Sequence, residues 1–238
     1  CGFDARRPSR QAMTLPPIVR LKRVSKQMRA GSARRIVLGG VTIDVPREKR
    51  IALLGRNGAG KTSLLNLIAG SLRPDQGAVE VNGTVSWPIG IQSGLHPDLT
   101  GAQNARFVAR VYGIDERAFV GFTLEFAELG GHFDAPIRTY STGMRARLAF
   151  AMSMAIRFDL FLLDEIVAVG DAIFRQKCEE SLDIALAGST AILVSHSLHS
   201  VRRLCNAALV LEEGSLRYFG DLSEGIERHE RNLRIRPR

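Results

Sequence analysis

Residues 55–62 read Gly55-Arg56-Asn57-Gly58-Ala59-Gly60-Lys61-Thr62, a full match to the pattern G-x-x-x-x-G-K-[ST]. Each fixed position has a chemical reason. Gly55, Gly58 and Gly60 permit backbone turns that a Cβ would block, so successive N–H groups converge on phosphate oxygens. The Lys61 ammonium reaches the β- and γ-phosphates as a point charge, and the Thr62 hydroxyl is a ligand for Mg²⁺. A helix that starts here turns the positive end of its dipole to the anion. With Ser63 following, Gly55–Ser63 is the predicted nucleotide-binding stretch.

The flanks of this loop have the order it requires. Ile51 to Leu54 is a short apolar run that breaks into the glycines, and a helical pattern follows from Lys61 to Ala69. Leu160 to Leu163 and Ala191 to Val194 are continuous apolar runs, which suit strands covered on both faces of a parallel sheet. Ile18 to Val24 and Val41 to Val45 alternate as half-buried strands do. Leu209 to Leu211, then Glu212-Glu213-Gly214, reads as a strand entering a hairpin that returns through Ser215 to Phe219. From about Leu99 to Arg138 the period turns helical, with Phe107, Val108, Val111 and Tyr112, then Phe122, Phe126 and Leu129. The predicted fold class is therefore α/β, with a helical insertion in a mostly parallel core.

Composition agrees with a globular domain: of 238 residues, 45% are hydrophobic and 24% charged. No stretch approaches the ~18 consecutive apolar residues of a membrane helix. The best candidate, Leu148 to Ile156, lies between Arg147 and Arg157 and contains Ser153. Cys1, Cys178 and Cys205 are too few and too widely spaced for a disulfide framework or a zinc site, which suits a reducing cytoplasm. The chain opens on Cys1 rather than Met, marking a fragment or a misassigned start, with Met13 as the candidate true one. The first residues lack the apolar core of a signal peptide.

The formal net charge is +9, and much of the excess is terminal: Arg6, Arg7 and Arg10, then Arg228, Arg231, Arg234, Arg236 and Arg238. Such charge attracts anionic lipid or nucleic acid. The arginines lack the interleaved aromatics of a nucleic-acid platform. Solvated, frayed termini are the favoured reading, and no stable nucleic-acid partner is expected.

A second carboxylate site follows from Leu160-Phe161-Leu162-Leu163-Asp164-Glu165. Strand C-termini in a parallel sheet converge on the ligand crevice, so Asp164 is expected beside the phosphate loop, holding Mg²⁺ through water. Glu165 is placed to orient and polarise an attacking water. Two acids after an apolar strand are by themselves usually a solvated turn. Their weight comes from the loop.

From Ile18 to Gly220 the chain resembles the ATP-binding cassette (ABC) ATPases of transporters. The resemblance implies a P-loop core with an antiparallel β subdomain and an inserted helical subdomain. It puts residues 1–16 in a disordered extension, 17–222 in the ATPase domain with the insertion at about 95–150, and 223–238 in a basic tail. Tyr140-Ser141-Thr142-Gly143-Met144 stands where the family carries a signature, usually Leu-Ser-Gly-Gly-Gln. Ser141 is a good N-cap for the following helix. In the family, the signature of one subunit contacts the ATP held by the other, so Ser141, Thr142, Gly143 and Met144 are expected to act in trans within a homodimer. The resemblance also implies a γ-phosphate-sensing role for His196, a dimer-interface role for the D-loop residue Asp171, and a Q-loop role for Gln92, which would link Mg²⁺ and water to the permease. Lys61, Glu165 and His196 are thus the expected catalytic residues, with ATP and Mg²⁺ as substrate and cofactor.

One family feature is missing. The stretch Lys26-Gln27-Met28-Arg29-Ala30 has no aromatic residue to stack on adenine, which leaves Met28, Arg29 or Arg35 as candidates and implies weak base discrimination. Other departures, Ala168-Val169-Gly170-Asp171 and Ser86-Trp87-Pro88-Ile89-Gly90 among them, resemble the ATPases of bacterial capsule and O-antigen polysaccharide exporters. The short C-terminus is more similar to the capsular type. Such a subunit would sit on the cytoplasmic face of the inner membrane, drive a separate permease and make no direct contact with polysaccharide. The alternatives are a soluble cassette ATPase acting on nucleic acid or ribosomes, and an exporter of another lipid-linked polymer such as teichoic acid.

Overall fold

The described residues form two sheets, and the residues of the central one alternate between two separate cores. The computed structural model describes residues 15–30, 33–89, 95–165 and 171–234. Five strands form the central sheet: β3 (Arg50–Leu54), β5 (Leu160–Asp164), β6 (Thr190–Val194), β7 (Ala207–Glu212) and β8 (Ser215–Phe219). Their order is β5-β6-β3-β7-β8, with only β8 antiparallel to its neighbour. β3, which feeds the phosphate loop, lies between two parallel neighbours. Leu160 and Leu162 face one core while Phe161 and Leu163 face the other. That two-sided burial is why the strand reads as an unbroken apolar run.

The second sheet is antiparallel, with β2 (Ala33–Val45), β1 (Val19–Ala30) and β4 (Gln76–Val81) in the order β2-β1-β4. Helix α1 (Lys61–Ile68) lies between it and the central sheet, burying Leu64, Leu65, Leu67 and Ile68 with Ile18, Leu21 and Leu38. The other core lies under α2 (Gly101–Tyr112), α3 (Glu116–Ala127), α4 (Thr142–Met154), α5 (Ala172–Ala185) and α6 (Leu198–Leu204). The exposed edge of β5 is covered by residues 85–89, which bridge to Leu160 and Leu163 in parallel.

Two features go beyond the sequence reading. The apolar residues of α2 do not all face inward. Its buried side is Ala102, Ala105 and Ala109, whereas Phe107 and Val111 are 59% and 62% exposed. Small side chains let α2 approach its neighbours closely and turn the large ones out. The C-terminal residues expected as a basic tail instead form α7 (Leu222–Arg234), docked on β7. Ile226 and Asn232 are buried, and the Asn232 amide donates to the Glu212 carboxylate. The arginines mask an amphipathic helix whose inner face carries Leu222, Ile226, His229 and Asn232 at helical spacing. Residues 1–14 and 235–238 lie outside the described residues.

The fit of α7 is close. A Cβ built on Gly225 would stand 2.3 Å from the Ala208 Cβ. Within a helix, Gly→Ala ordinarily stabilises by about 1 kcal/mol. Here the sign should reverse, with Gly225→Ala costing about 1–3 kcal/mol through overpacking. Urea denaturation followed by circular dichroism measures it, and a stabilised variant would contradict this docking.

Candidate functional site

Helix α1 starts at Gly60, whose φ of 105° is open to glycine and strained for other residues. It has no side-chain cap and no acidic residue in its first turn. Among the described residues, every other α-helix has a capping side chain: Thr100, Asp115, Ser141, Asp171, Ser197 and, for α7, Asp221. Among these helices, the N-terminal dipole of α1 is thus the one left to an outside anion. At the other end of the loop, a Cβ on Gly55 would lie 2.6 Å from the Leu211 carbonyl oxygen, so only glycine lets the loop pass β7.

The loop also holds its own cation. Lys61 Nζ donates to the carbonyl oxygens of Gly55 (2.8 Å) and Arg56 (3.2 Å), curling the side chain back over the turn. Burial lowers the Lys61 pKa, opposed by the nearby Glu165 and Asp164.

Across the loop, Thr62 Oγ1 donates to Asp164 Oδ2 at 3.0 Å. Asp164 ends β5 and is buried, and burial raises its pKa ahead of the opposing bond from Thr62. Glu165 follows at φ 45°, a left-handed conformation costing an L-residue roughly 1–2 kcal/mol. Its carboxylate stands 2.7 Å from His196 Nε2, the residue after Ser195 at the exit of β6. Asn57, Gly58, Gly60, Lys61, Thr62, Ser63, Asp164, Glu165 and His196 line one cavity of about 380 Å³. The hydroxyl and carboxylate at its centre are hard oxygen donors of the kind Mg²⁺ takes.

The remaining predicted residues lie elsewhere. Ser141 accepts from the Met144 amide at 3.2 Å as the N-cap of α4, and Ser141, Thr142 and Gly143 are exposed. Asp171 caps α5 through the Phe174 amide (2.9 Å) and pairs with Arg147 of α4 (3.2 Å). Its pKa is lowered chiefly by the Phe174 amide, with Arg147 adding to it. None of these lines the cavity at the phosphate loop. Gln92 and residues 168–170 lie outside the described residues. The sequence reading missed Leu211, Glu212, His229 and Asn232, which line a second cavity beside the loop together with Arg35 and Arg56. Only the helical spacing of α7 hinted at His229 and Asn232, while Leu211 and Glu212 read as strand alone.

A strand, an anion-binding loop and a helix, with a carboxylate at the end of a parallel strand alongside, define a P-loop nucleotide-binding protein. Residues 38–168 match the ABC transporter family, and the chain belongs to that family. It is 41% identical over 216 residues to the polysialic acid transport ATP-binding protein KpsT of Escherichia coli, covering 90% of this chain and 96% of that one. It is 39% identical over 210 residues to the capsule polysaccharide export ATP-binding protein CtrD of Neisseria meningitidis serogroup B, covering 88% and 97%. Among solved structures, the dimeric post-hydrolysis state of the ATP-binding cassette MJ0796 bound to ADP and Pi superposes with a TM-score of 0.69 over 84% of this chain and 98% of that one. At 21% identity this shows the shared fold.

The raised pKa of Asp164 has a consequence for stability. The native carboxyl holds its proton at a higher pH than the unfolded one, so this residue's contribution falls as pH rises from about 3.9 through the native value. Above that window the ionised carboxylate weighs against the folded chain. Asp164→Asn should therefore raise the Tm of the nucleotide-free protein at pH 7.5 while suppressing ATP hydrolysis. A lowered Tm by scanning calorimetry would contradict this.

Proposed function

We propose that the chain is the ATP-hydrolysing subunit of a bacterial exporter of capsule-type polysaccharide, working with a separate membrane permease. The observation that carries this reading is the near-complete mutual coverage with KpsT and CtrD, on top of an intact phosphate loop. No helix among the described residues is long and apolar enough to cross a membrane, so the transport path would belong to the partner. The outward Phe107 and Val111 give the helical insertion an apolar face suited to receiving that partner.

In this reading the N–H groups of Gly55–Ser63 and the Lys61 ammonium bind the triphosphate. Thr62, with Asp164 through water, would hold Mg²⁺, which neutralises charge on the phosphate oxygens. Gln92 would join them as a further ligand. Glu165 accepts a proton from the attacking water. That water forms a bond to the γ-phosphorus as the bond to the bridging oxygen of ADP breaks. His196, bonded to Glu165, holds its carboxylate in place and reaches toward the γ-phosphate. The exposed Ser141-Thr142-Gly143-Met144, at a helix N-terminus, is suited to contact the ATP bound by a second copy, with Asp171 at the shared interface. The subunit would work at the cytoplasmic face of the inner membrane.

Glu165→Gln should keep ATP affinity while losing about 10²–10⁴-fold in turnover; Lys61→Ala should lose nucleotide binding. Phosphate release and equilibrium binding measure the two, and full turnover by Glu165→Gln would remove that residue from the base role. The ATPase should be stimulated by its permease in lipid. Stimulation by nucleic acid and not by a permease would overturn the exporter assignment.

A further inference from the structure

The mechanism above leaves a cluster of charges and rings unused, where α3, α4 and α5 meet. At its centre is Arg147 of α4, whose side chain is 18% exposed. Its Nη2 donates to Asp171 Oδ2 at 3.2 Å, its Nη1 stands 3.6 Å from Glu128 Oε2, and its Cζ lies 4.0 Å over the Phe174 ring. Glu128 ends α3 in a left-handed conformation, and its other oxygen accepts from Lys177 Nζ at 2.7 Å. Lys177 also donates to the Phe126 carbonyl oxygen and stands over the Phe126 ring. Two cations thus face two carboxylates, and none of the four lines either cavity at the phosphate loop.

The end of the cluster at Asp171 differs from the rest. Asp171 Oδ1 caps α5 through the Phe174 amide, while Oδ2 takes the guanidinium. Arg147 therefore grips a single turn of α5 twice, by its carboxylate and by the ring behind it. Its own helix begins less than two turns earlier, at the exposed Ser141. One side chain thus joins the exposed turn at Ser141 to the exposed turn at Asp171. An ion pair to a carboxylate that is 67% exposed adds little to folding stability. What a planar guanidinium held on a ring supplies is geometry, because its fork fixes where the carboxylate stands.

We propose that Arg147 is a positioning residue, holding the starts of α4 and α5 at one spacing so that Ser141 and Asp171 meet a second copy of the chain as a single surface. Without this bracket each turn would be ordered separately as two copies meet, and association would bear that cost. Lys177, at the far end of the cluster, ties α5 to α3 and takes no part in the spacing. The proposal rests on the reading above that a second copy completes the ATP site.

The test is ATP-driven dimerisation of the full chain carrying Glu165→Gln, followed by sedimentation velocity with Mg²⁺-ATP. Arg147→Met, which keeps the aliphatic stem, and Asp171→Asn, which keeps the α5 cap, should each weaken the dimer about tenfold. The double variant should also lose about tenfold and not about a hundredfold, because both changes remove one contact. Lys177→Met should leave the dimer within about twofold of its parent. ATP affinity of the single chain, measured below the dimerising concentration, should be unchanged in Arg147→Met. Should Arg147→Met fail to fold by circular dichroism, Arg147→Lys carries the comparison with the same loss expected, because an ammonium cannot hold ring and carboxylate together in that geometry. The proposal is overturned if the Arg147 variant dimerises as tightly as its parent, if the two losses add, if Lys177→Met is equally harmful, or if single-chain ATP affinity falls in step. A parent that stays monomeric with ATP bound would sink the second-copy reading and the proposal with it. A parent that dimerises while the Arg147 variant is unaffected would sink the proposal alone.

Discussion

Helix α1 begins at a left-handed glycine with no side-chain cap, and its second residue, Thr62, is tied by its hydroxyl to the Asp164 carboxylate. This bond joins the one uncapped helix N-terminus among the described residues to the end of a parallel strand two places from β3 in the sheet. Much of the surrounding architecture serves to hold it. β3 must emerge between β6 and β7 to place the loop, and both faces of the sheet must be covered for strands so apolar to exist. The arrangement stores unfavourable terms: a buried carboxylate, a half-buried lysine and a non-glycine residue at positive φ, all within one cavity. Such concentrations of cost mark functional sites, because a bound ligand offsets what the empty fold cannot.

The phosphate site was legible because it is local. Eight consecutive residues carry the loop, and the strand ending in Asp164-Glu165 announces itself by composition. Thr62 and Asp164 lie 102 positions apart, yet the rule that parallel strands deliver their C-termini to one crevice predicts their meeting. The helical insertion was also visible by its period, but its facing was not. Phe107 and Val111 look like core in the sequence, and only the closeness of packing through Ala102, Ala105 and Ala109 decides that they point outward.

What was not legible depends on long-range docking. β4 carries Gly77 and an alternation too weak to stand out, and it is a strand because β1 pairs with it. Helix α7 hides behind its arginines. Its place against β7 rests on Gly225 meeting Ala208 and on Asn232 reaching Glu212, contacts that no local pattern encodes. The cavity that α7 closes therefore had no signature in the sequence beyond the helical spacing of α7.

The proposed account treats this chain as half of a site, with Ser141 lying exposed at the N-terminus of α4 and outside the cavity it would serve. Sedimentation velocity of Glu165→Gln with Mg²⁺-ATP tests that most directly. The account predicts a shift from monomer to dimer on ATP addition, abolished when Ser141→Arg is introduced into the same chain. A protein that stays monomeric with ATP bound, or dimerises regardless of Ser141, would contradict it.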